Sequence, residues 1–202
     1  MNHILFEGEA LFPSKVVCVG RNYVAHIKEL NNETPQNMVL FNKPNSAITN
    51  TLNYIQKDCR FEGEICFLIK NKQIDGIGFG FDLTKADIQN KLKENGLPWE
   101  RAKGFNTSAV LSKFVKLKGN IETLEMKLYL NGTLAQHANY DLMIYKPQQI
   151  ITEIEDFMTL EDDDIIMSGT PKGVATYSKH DVFLATMYVD SKLVLREEFI
   201  VL

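Results

Sequence analysis

Cysteine is scarce in this 202-residue chain: three residues, Cys18, Cys59 and Cys66, with no C-x-x-C pair. An odd number without paired spacing excludes a disulfide framework and a cysteine-based zinc site, and predicts reduced, packed thiols. Excess positive charge is missing too. With 22 basic against 26 acidic residues the net charge is −4 and the pI about 5.6, which excludes general attraction to nucleic acid or an anionic membrane. An anionic small molecule would need a local cluster of cations, a metal ion, or both. No apolar run reaches the length of a membrane span. Residues 1–7 are too acidic and too briefly apolar for a signal peptide, so a cytoplasmic location is expected. Repeats, low-complexity stretches and Pro/Ser-rich linkers are absent, so the expectation is one domain over residues 1–202.

Several familiar motifs are also missing. Gly169-Thr170-Pro171-Lys172-Gly173 lacks the spacing of a nucleotide P-loop, and Gly76-x-Gly78-x-Gly80 fails as a dinucleotide fingerprint. Those three glycines instead predict a close backbone approach or a bulge. The run Glu161-Asp162-Asp163-Asp164 lacks the alternating ligands of a calcium loop and reads as a solvated turn. Strands are expected at 15–19, 38–42, 60–69, 74–81, 165–168, 182–189 and 193–201, with a hairpin at Asn131-Gly132. A helix capped by Thr84, with Asp87 in the capping-box position, is expected through residue 95. Another opens at Pro147, with Ile150, Ile151, Ile154 and Phe157 as its apolar stripe. The strands do not alternate regularly with helices, which argues against a Rossmann-type sheet and for a mixed α+β fold on a bent, barrel-like sheet.

What is present is a pair of glutamates. Glu62 and Glu64 flank Gly63 on a predicted strand, so their side chains share a face, and Asp82 ends the next strand. A hard divalent cation would convert the repulsion of such neighbours into binding through an all-oxygen triad. The alternative is an edge strand with a charged outer face. His26 and Glu29, three residues apart, are neighbours on a helical turn, as a water-activating base and its orienting carboxylate would be. They equally suit a surface pair. Lys103 lies among small residues, either as a pocket cation or as one of many surface lysines. Backbone amides and the Thr170 hydroxyl of the glycine-bracketed turn suit a carboxylate or phosphate.

Taken together, these segments resemble the fumarylacetoacetate hydrolase family, and specifically its small acylpyruvate-hydrolase members. The likeness runs over Val19-Gly20-Arg21-Asn22-Tyr23 with His26 and Glu29, Phe41-x-Lys43-Pro44, Glu62-Gly63-Glu64 and Phe81-Asp82-Leu83-Thr84-x-x-Asp87-x-Gln89. It continues through Gly96-Leu97-Pro98-Trp99, Ala102-Lys103-x-Phe105 and residues 164–174. The resemblance implies a strongly bent α+β β-roll with a few flanking helices, usually as a homodimer, with Mg2+ or Mn2+ on Glu62, Glu64 and Asp82. It implies His26 and Glu29 as the catalytic pair, with Lys103 stabilising a developing oxyanion. Arg21, Gln89, Gly169 and Thr170 would hold the oxygens of a small 2-oxo acid. The implied reaction is carbon–carbon hydrolysis of an acylpyruvate-type 2,4-dioxo acid. Decarboxylation or tautomerisation of oxaloacetate and isomerisation of unsaturated 2-oxo acids are alternatives on the same site, and a non-catalytic 2-oxo-acid-binding relative is an alternative of another class. Three features depart from the family: the short connection at 70–75, Arg60-Phe61 ahead of the glutamates, and Val174-Ala175-Thr176 after the turn.

Overall fold

A computed structural model describes residues 1–29 and 37–202, apart from the side chains of residues 26–28. The fold is mixed α+β, with a strongly curled half-barrel sheet and few helices. Nine strands form the largest sheet among the described residues. Its centre runs from Ala109–Lys116 through Gln73–Asp82, Gly63–Lys70 and Ile165–Met167 to Lys15–Gly20 and Val39–Pro44. A second sheet orders Thr133–Asn139, Glu125–Leu130, Val182–Val189 and Lys192–Ile200. Three short strands, Ala175–Thr176, Cys59–Phe61 and Thr84–Lys85, form a third.

The central strands are buried on both faces, which is why they read as near-continuous apolar runs. In Gly63–Lys70, Ile65, Phe67 and Ile69 face the core shared with the second sheet, while Cys66 and Leu68 face a smaller core. Phe79 and Phe81 also point to the shared core. There Phe81 meets Phe79 at 4.8 Å, Phe183 at 5.1 Å and Phe199 at 5.3 Å between ring centroids, so one residue ties the two sheets together. The free thiols Cys18, Cys59 and Cys66 are all buried.

The glycine-rich strand has a simple cause. Gly76, Gly78 and Gly80 share one face, and a Cβ on each would lie 2.7–2.8 Å from Phe6, Phe114 and Met167 respectively. The close approach is mainly of packed side chains rather than of backbone. A bulge does occur, but on the partner strand between Leu111 and Phe114.

The connection at 70–75 is a tight hairpin: Gly63–Lys70 pairs with Gln73–Asp82 across Asn71 and Lys72, both with positive φ. Three expectations need correction. Thr84 does not cap the helix, which spans Ala86–Glu94; Thr84 is a buried strand residue whose hydroxyl serves Glu62 instead. Asp58 supplies the capping carboxylate, accepting the Asp87 N–H at 3.1 Å. The Pro147–Glu155 helix buries Ile150, Ile151 and Ile154 but ends before Phe157, which is 62% exposed. Asp164 is no solvated turn residue: it is buried and accepts the N–H groups of Ser14, Lys15 and Glu161.

Phe81→Ala is expected to lower stability by about 3–5 kcal/mol, because it removes the ring at which the two sheets meet. Denaturant unfolding measures this; a loss under 1 kcal/mol would show that the sheets hold without it.

Candidate active site

The carboxylates converge because of strand register. Gly63 pairs with Phe81 and Glu64 with Gly80, so Asp82 falls across from Glu62, and the Asp82 N–H donates to the Glu62 carbonyl at 2.9 Å. All three side chains emerge on the glycine face. One oxygen from each of Glu62, Glu64 and Asp82 lies within 4.8 Å of the other two. Glu64 and Asp82 are 2% and 1% exposed.

Two buried carboxylates and a third that is partly buried need compensation. Lys103 Nζ donates to Asp82 Oδ2 at 2.6 Å and to Glu62 Oε2 at 2.9 Å. Lys43, with no exposed surface, sets its Nζ 2.8 Å from Asp82 Oδ1 and donates to the backbone carbonyls of Leu83 (3.4 Å) and Lys103. Burial acts to raise the Asp82 pKa, but the charges of Lys103 and Lys43 outweigh it and hold Asp82 below the ordinary carboxylate value. Lys103 is pushed the opposite way: burial favours its neutral form, yet Asp82 and Glu62 win and keep it an ammonium. Among the described residues no lysine pairs with Glu64. Burial first, then the charges of Asp82 and Glu62, push it well above the ordinary value.

Backbone and hydroxyl donors fix the triad. Thr84 Oγ1 donates to Glu62 Oε1 at 2.6 Å, and the Gly169 N–H donates to Glu64 Oε2 at 2.7 Å. Gly169 sits at φ +97°, and a Cβ there would come 2.8 Å from Asn22 Cβ, so the turn closes on the triad only with glycine. Asn22 locks that corner by donating to the Ser168 and Tyr145 carbonyls and accepting the Tyr145 N–H.

The fit to a divalent cation follows from this chemistry. Three carboxylates against two lysines leave one negative charge over, in an all-oxygen donor set suited to Mg2+ or Mn2+. Asp82 Oδ1 is buried with the Lys43 ammonium 2.8 Å away, and the carboxylate of Glu64 takes the Gly169 N–H on its Oε2.

Arg21, Glu62, Glu64, Asp82, Gln89, Lys103 and Thr170 all line one cavity, together with Phe41, Lys93 and Trp99. The Thr170 hydroxyl donates to the Gly63 carbonyl at 3.0 Å and accepts from Gln136 at 2.9 Å, so it braces the glutamate strand. Glu29 accepts the Gly173 N–H at 3.0 Å, joining the Val24–Glu29 helix to the end of the Gly-Thr-Pro turn. His26 belongs to that helix, but its side chain lies outside the described residues.

Sequence reasoning missed Lys43, Gln136 and Thr84 as supports. Lys43 carried a signal, a lysine inside an apolar strand before proline. Gln136 carried none: it is one polar residue on a hairpin, and only the tertiary fold brings it to Gly63 and Thr170.

The family model for the fumarylacetoacetate (FAA) hydrolase C-terminal domain matches residues 15–189. The chain belongs to this family. Among its curated relatives, the oxaloacetate tautomerase YcgM of Escherichia coli is 35% identical over 192 residues, covering 86% of this chain and 88% of that protein. The mitochondrial oxaloacetate tautomerase FAHD1 of Bos taurus is 34% identical, over 86% of each chain. A candidate fumarylacetoacetate isomerase/hydrolase from Oleispira antarctica superposes with a TM-score of 0.92 at 32% identity, covering both chains fully. The fold is also that of a fumarylpyruvate hydrolase from Pseudomonas aeruginosa, solved with Mn2+ and pyruvate. That match has a TM-score of 0.89 at 23% identity, over 100% of this chain and 95% of that one.

Two substitutions in the triad are expected to act with opposite sign. Asp82→Asn leaves Lys43 and Lys103 buried against a neutral amide and is expected to destabilise the metal-free protein by about 3–5 kcal/mol. Glu64→Gln removes the disfavoured charge while keeping an acceptor for Gly169, and is expected to raise the metal-free Tm. It should also abolish the Tm rise that saturating Mg2+ or Mn2+ gives the wild type. Thermal unfolding with and without chelator tests both; a full metal-induced shift in Glu64→Gln refutes the triad.

Proposed function

We propose that this protein is an oxaloacetate keto–enol tautomerase that works with Mg2+ or Mn2+ held by Glu62, Glu64 and Asp82. The observation that carries the reading is the Lys103 ammonium, buried and gripped between two of the three carboxylates. A fixed cation beside a hard-metal site suits a substrate whose reacting group is an enolate. The names of the curated relatives support tautomerisation over the hydrolysis that the sequence favoured first.

The divalent ion, when bound, supplies Lewis-acid stabilisation of the enolate oxygen. In ketonisation a proton leaves the enol oxygen and another is delivered to C3; enolisation is the reverse. Lys103 holds its proton too firmly to be the base, because Asp82 and Glu62 favour its charged form. Its role is to stabilise the negative charge that develops on the substrate oxygen. The family resemblance implies His26 and Glu29, three residues apart, as a base pair that activates water; in this reading the same His26 base is assigned the proton transfer at C3. No water attack is required, and the Gly173 N–H bound to Glu29 holds the helix end against the turn.

Loss of the ultraviolet absorbance of enolic oxaloacetate is expected to be faster with enzyme and Mg2+ than with Mg2+ alone. Pyruvate release from acetylpyruvate should have a much lower kcat/KM. Cleavage of acetylpyruvate without acceleration of enol loss overturns the reading in favour of carbon–carbon hydrolysis. Lys103→Met should lower kcat by about 10²–10³. His26→Ala should lower it by about 10²–10⁴, and retention of full activity there removes His26 from the proton transfer.

A further inference from the structure

We propose that Gln136 is a positioning residue for the metal site, and that it holds the Thr170 hydroxyl as a brace for the glutamate strand rather than as a donor to the substrate. This role rests on the triad taking a divalent ion, whichever reaction that ion serves, and so goes beyond the tautomerase reading.

Gln136 lies on Thr133–Asn139 of the second sheet and is 2% exposed. Its Oε1 accepts the Gly63 N–H at 2.8 Å, and its Nε2 donates to the Pro171 carbonyl at 3.0 Å and to Thr170 Oγ1 at 2.9 Å. These partners fix which end of the amide is which, because an N–H needs the oxygen and a carbonyl needs the nitrogen. Thr170 Oγ1 therefore receives a hydrogen from Gln136. Its own single proton goes to the Gly63 carbonyl at 3.0 Å, closing a ring that grips Gly63 at both its N–H and its carbonyl. A hydroxyl whose one proton is committed offers a ligand only a lone pair, which repels a carboxylate oxygen.

Gly63 stands between two of the three carboxylates, so fixing its backbone fixes the directions in which Glu62 and Glu64 leave the strand. The packing leaves no slack there: a Cβ on Gly63 would lie 2.8 Å from Gln136 Oε1 and 2.8 Å from Leu128 Cδ2. The same hairpin also fixes the turn. Gly169, next to Thr170, donates its N–H to Glu64 Oε2 at 2.7 Å, and at the other end a Cβ on Gly173 would overlap the Ala135 carbonyl oxygen. One glutamine thus connects the second sheet to the strand that carries the glutamates and to the turn that orients Glu64. Without it the Gly63 N–H and the Thr170 hydroxyl lose buried partners, and the spacing of the carboxylates relaxes.

The test is Mn2+ binding to the chelator-treated protein by calorimetry. Gln136→Met keeps the length and removes the hydrogen bonds, and is expected to raise the Mn2+ Kd about tenfold or more. Thr170→Val should raise it as well, while Thr170→Ser should keep the wild-type Kd. The double variant Gln136→Met/Thr170→Val should bind no more weakly than the weaker single variant, because both break one ring. Met126→Ala, a buried core change on Glu125–Leu130, should lower the Tm and leave the Kd unaltered, which separates positioning from general loss of stability. An unchanged Kd in Gln136→Met overturns the proposal, as do additive losses in the double variant or an equal rise in Met126→Ala. Wild-type Mn2+ affinity in Thr170→Val, with weakened binding of oxalate to the Mn2+-loaded form, makes the hydroxyl a substrate contact and overturns it too. A wild type that takes up no Mn2+ overturns the triad and this role together. If Mn2+ affinity depends on Gln136 while oxaloacetate is not tautomerised, the positioning role stands and the tautomerase reading falls. Should Gln136→Met fail to fold, Thr170→Val against Thr170→Ser carries the comparison.

Discussion

Asp82 held between two buried ammonium groups is the contact on which the rest of the site depends. A carboxylate with almost no exposure is unfavourable alone, and Glu62 and Glu64 beside it make matters worse. Lys43 and Lys103 reverse the balance for Asp82, and their own burial is tolerable only because Asp82 is there. Neither lysine comes from a neighbouring strand of the hairpin that carries the acids. Lys43 arrives on Val39–Pro44 and Lys103 on the short Glu100–Lys103 helix, so the ion cluster joins three parts of the chain.

Glu64 is the member that this arrangement leaves in surplus. Among the described residues it keeps a hydrogen bond from Gly169 and pairs with no lysine. Its raised pKa expresses a site one positive charge short, which is a physical reason for a divalent ion to bind there. The scaffold around the triad is stiff. The Gly63–Lys70 strand is buried on both faces, and Phe81, one residue before Asp82, is fixed by the aromatic cluster between the sheets. Stability of the core and geometry of the site are thus coupled through adjacent residues. Farther out, Trp99 and Phe41 extend the cavity wall toward Lys93.

Much of this was legible in the chain. Two-residue alternation put Glu62 and Glu64 on one face, the Asn131-Gly132 turn gave its hairpin, and apolar runs marked the central strands. Local rules failed where a side chain had a tertiary partner. Thr84 has the sequence setting of a helix cap, but Glu62 takes its hydroxyl and Asp58 caps the helix. Asp164 sits in an acidic run yet is buried by the backbone amides it accepts. Phe157 continues a periodic stripe past the end of its helix.

Residue type and spacing by themselves determined the donor set: three carboxylates at fixed strand positions, a helical His26–Glu29 pair and a glycine-bracketed turn. These depend only on strand and helix periodicity, which the chain carries locally. Tertiary structure alone decided which lysines matter among many, because charge compensation is a property of distance and burial. It selected Lys43 and Lys103 to balance the triad and turned the Gly169 amide onto Glu64.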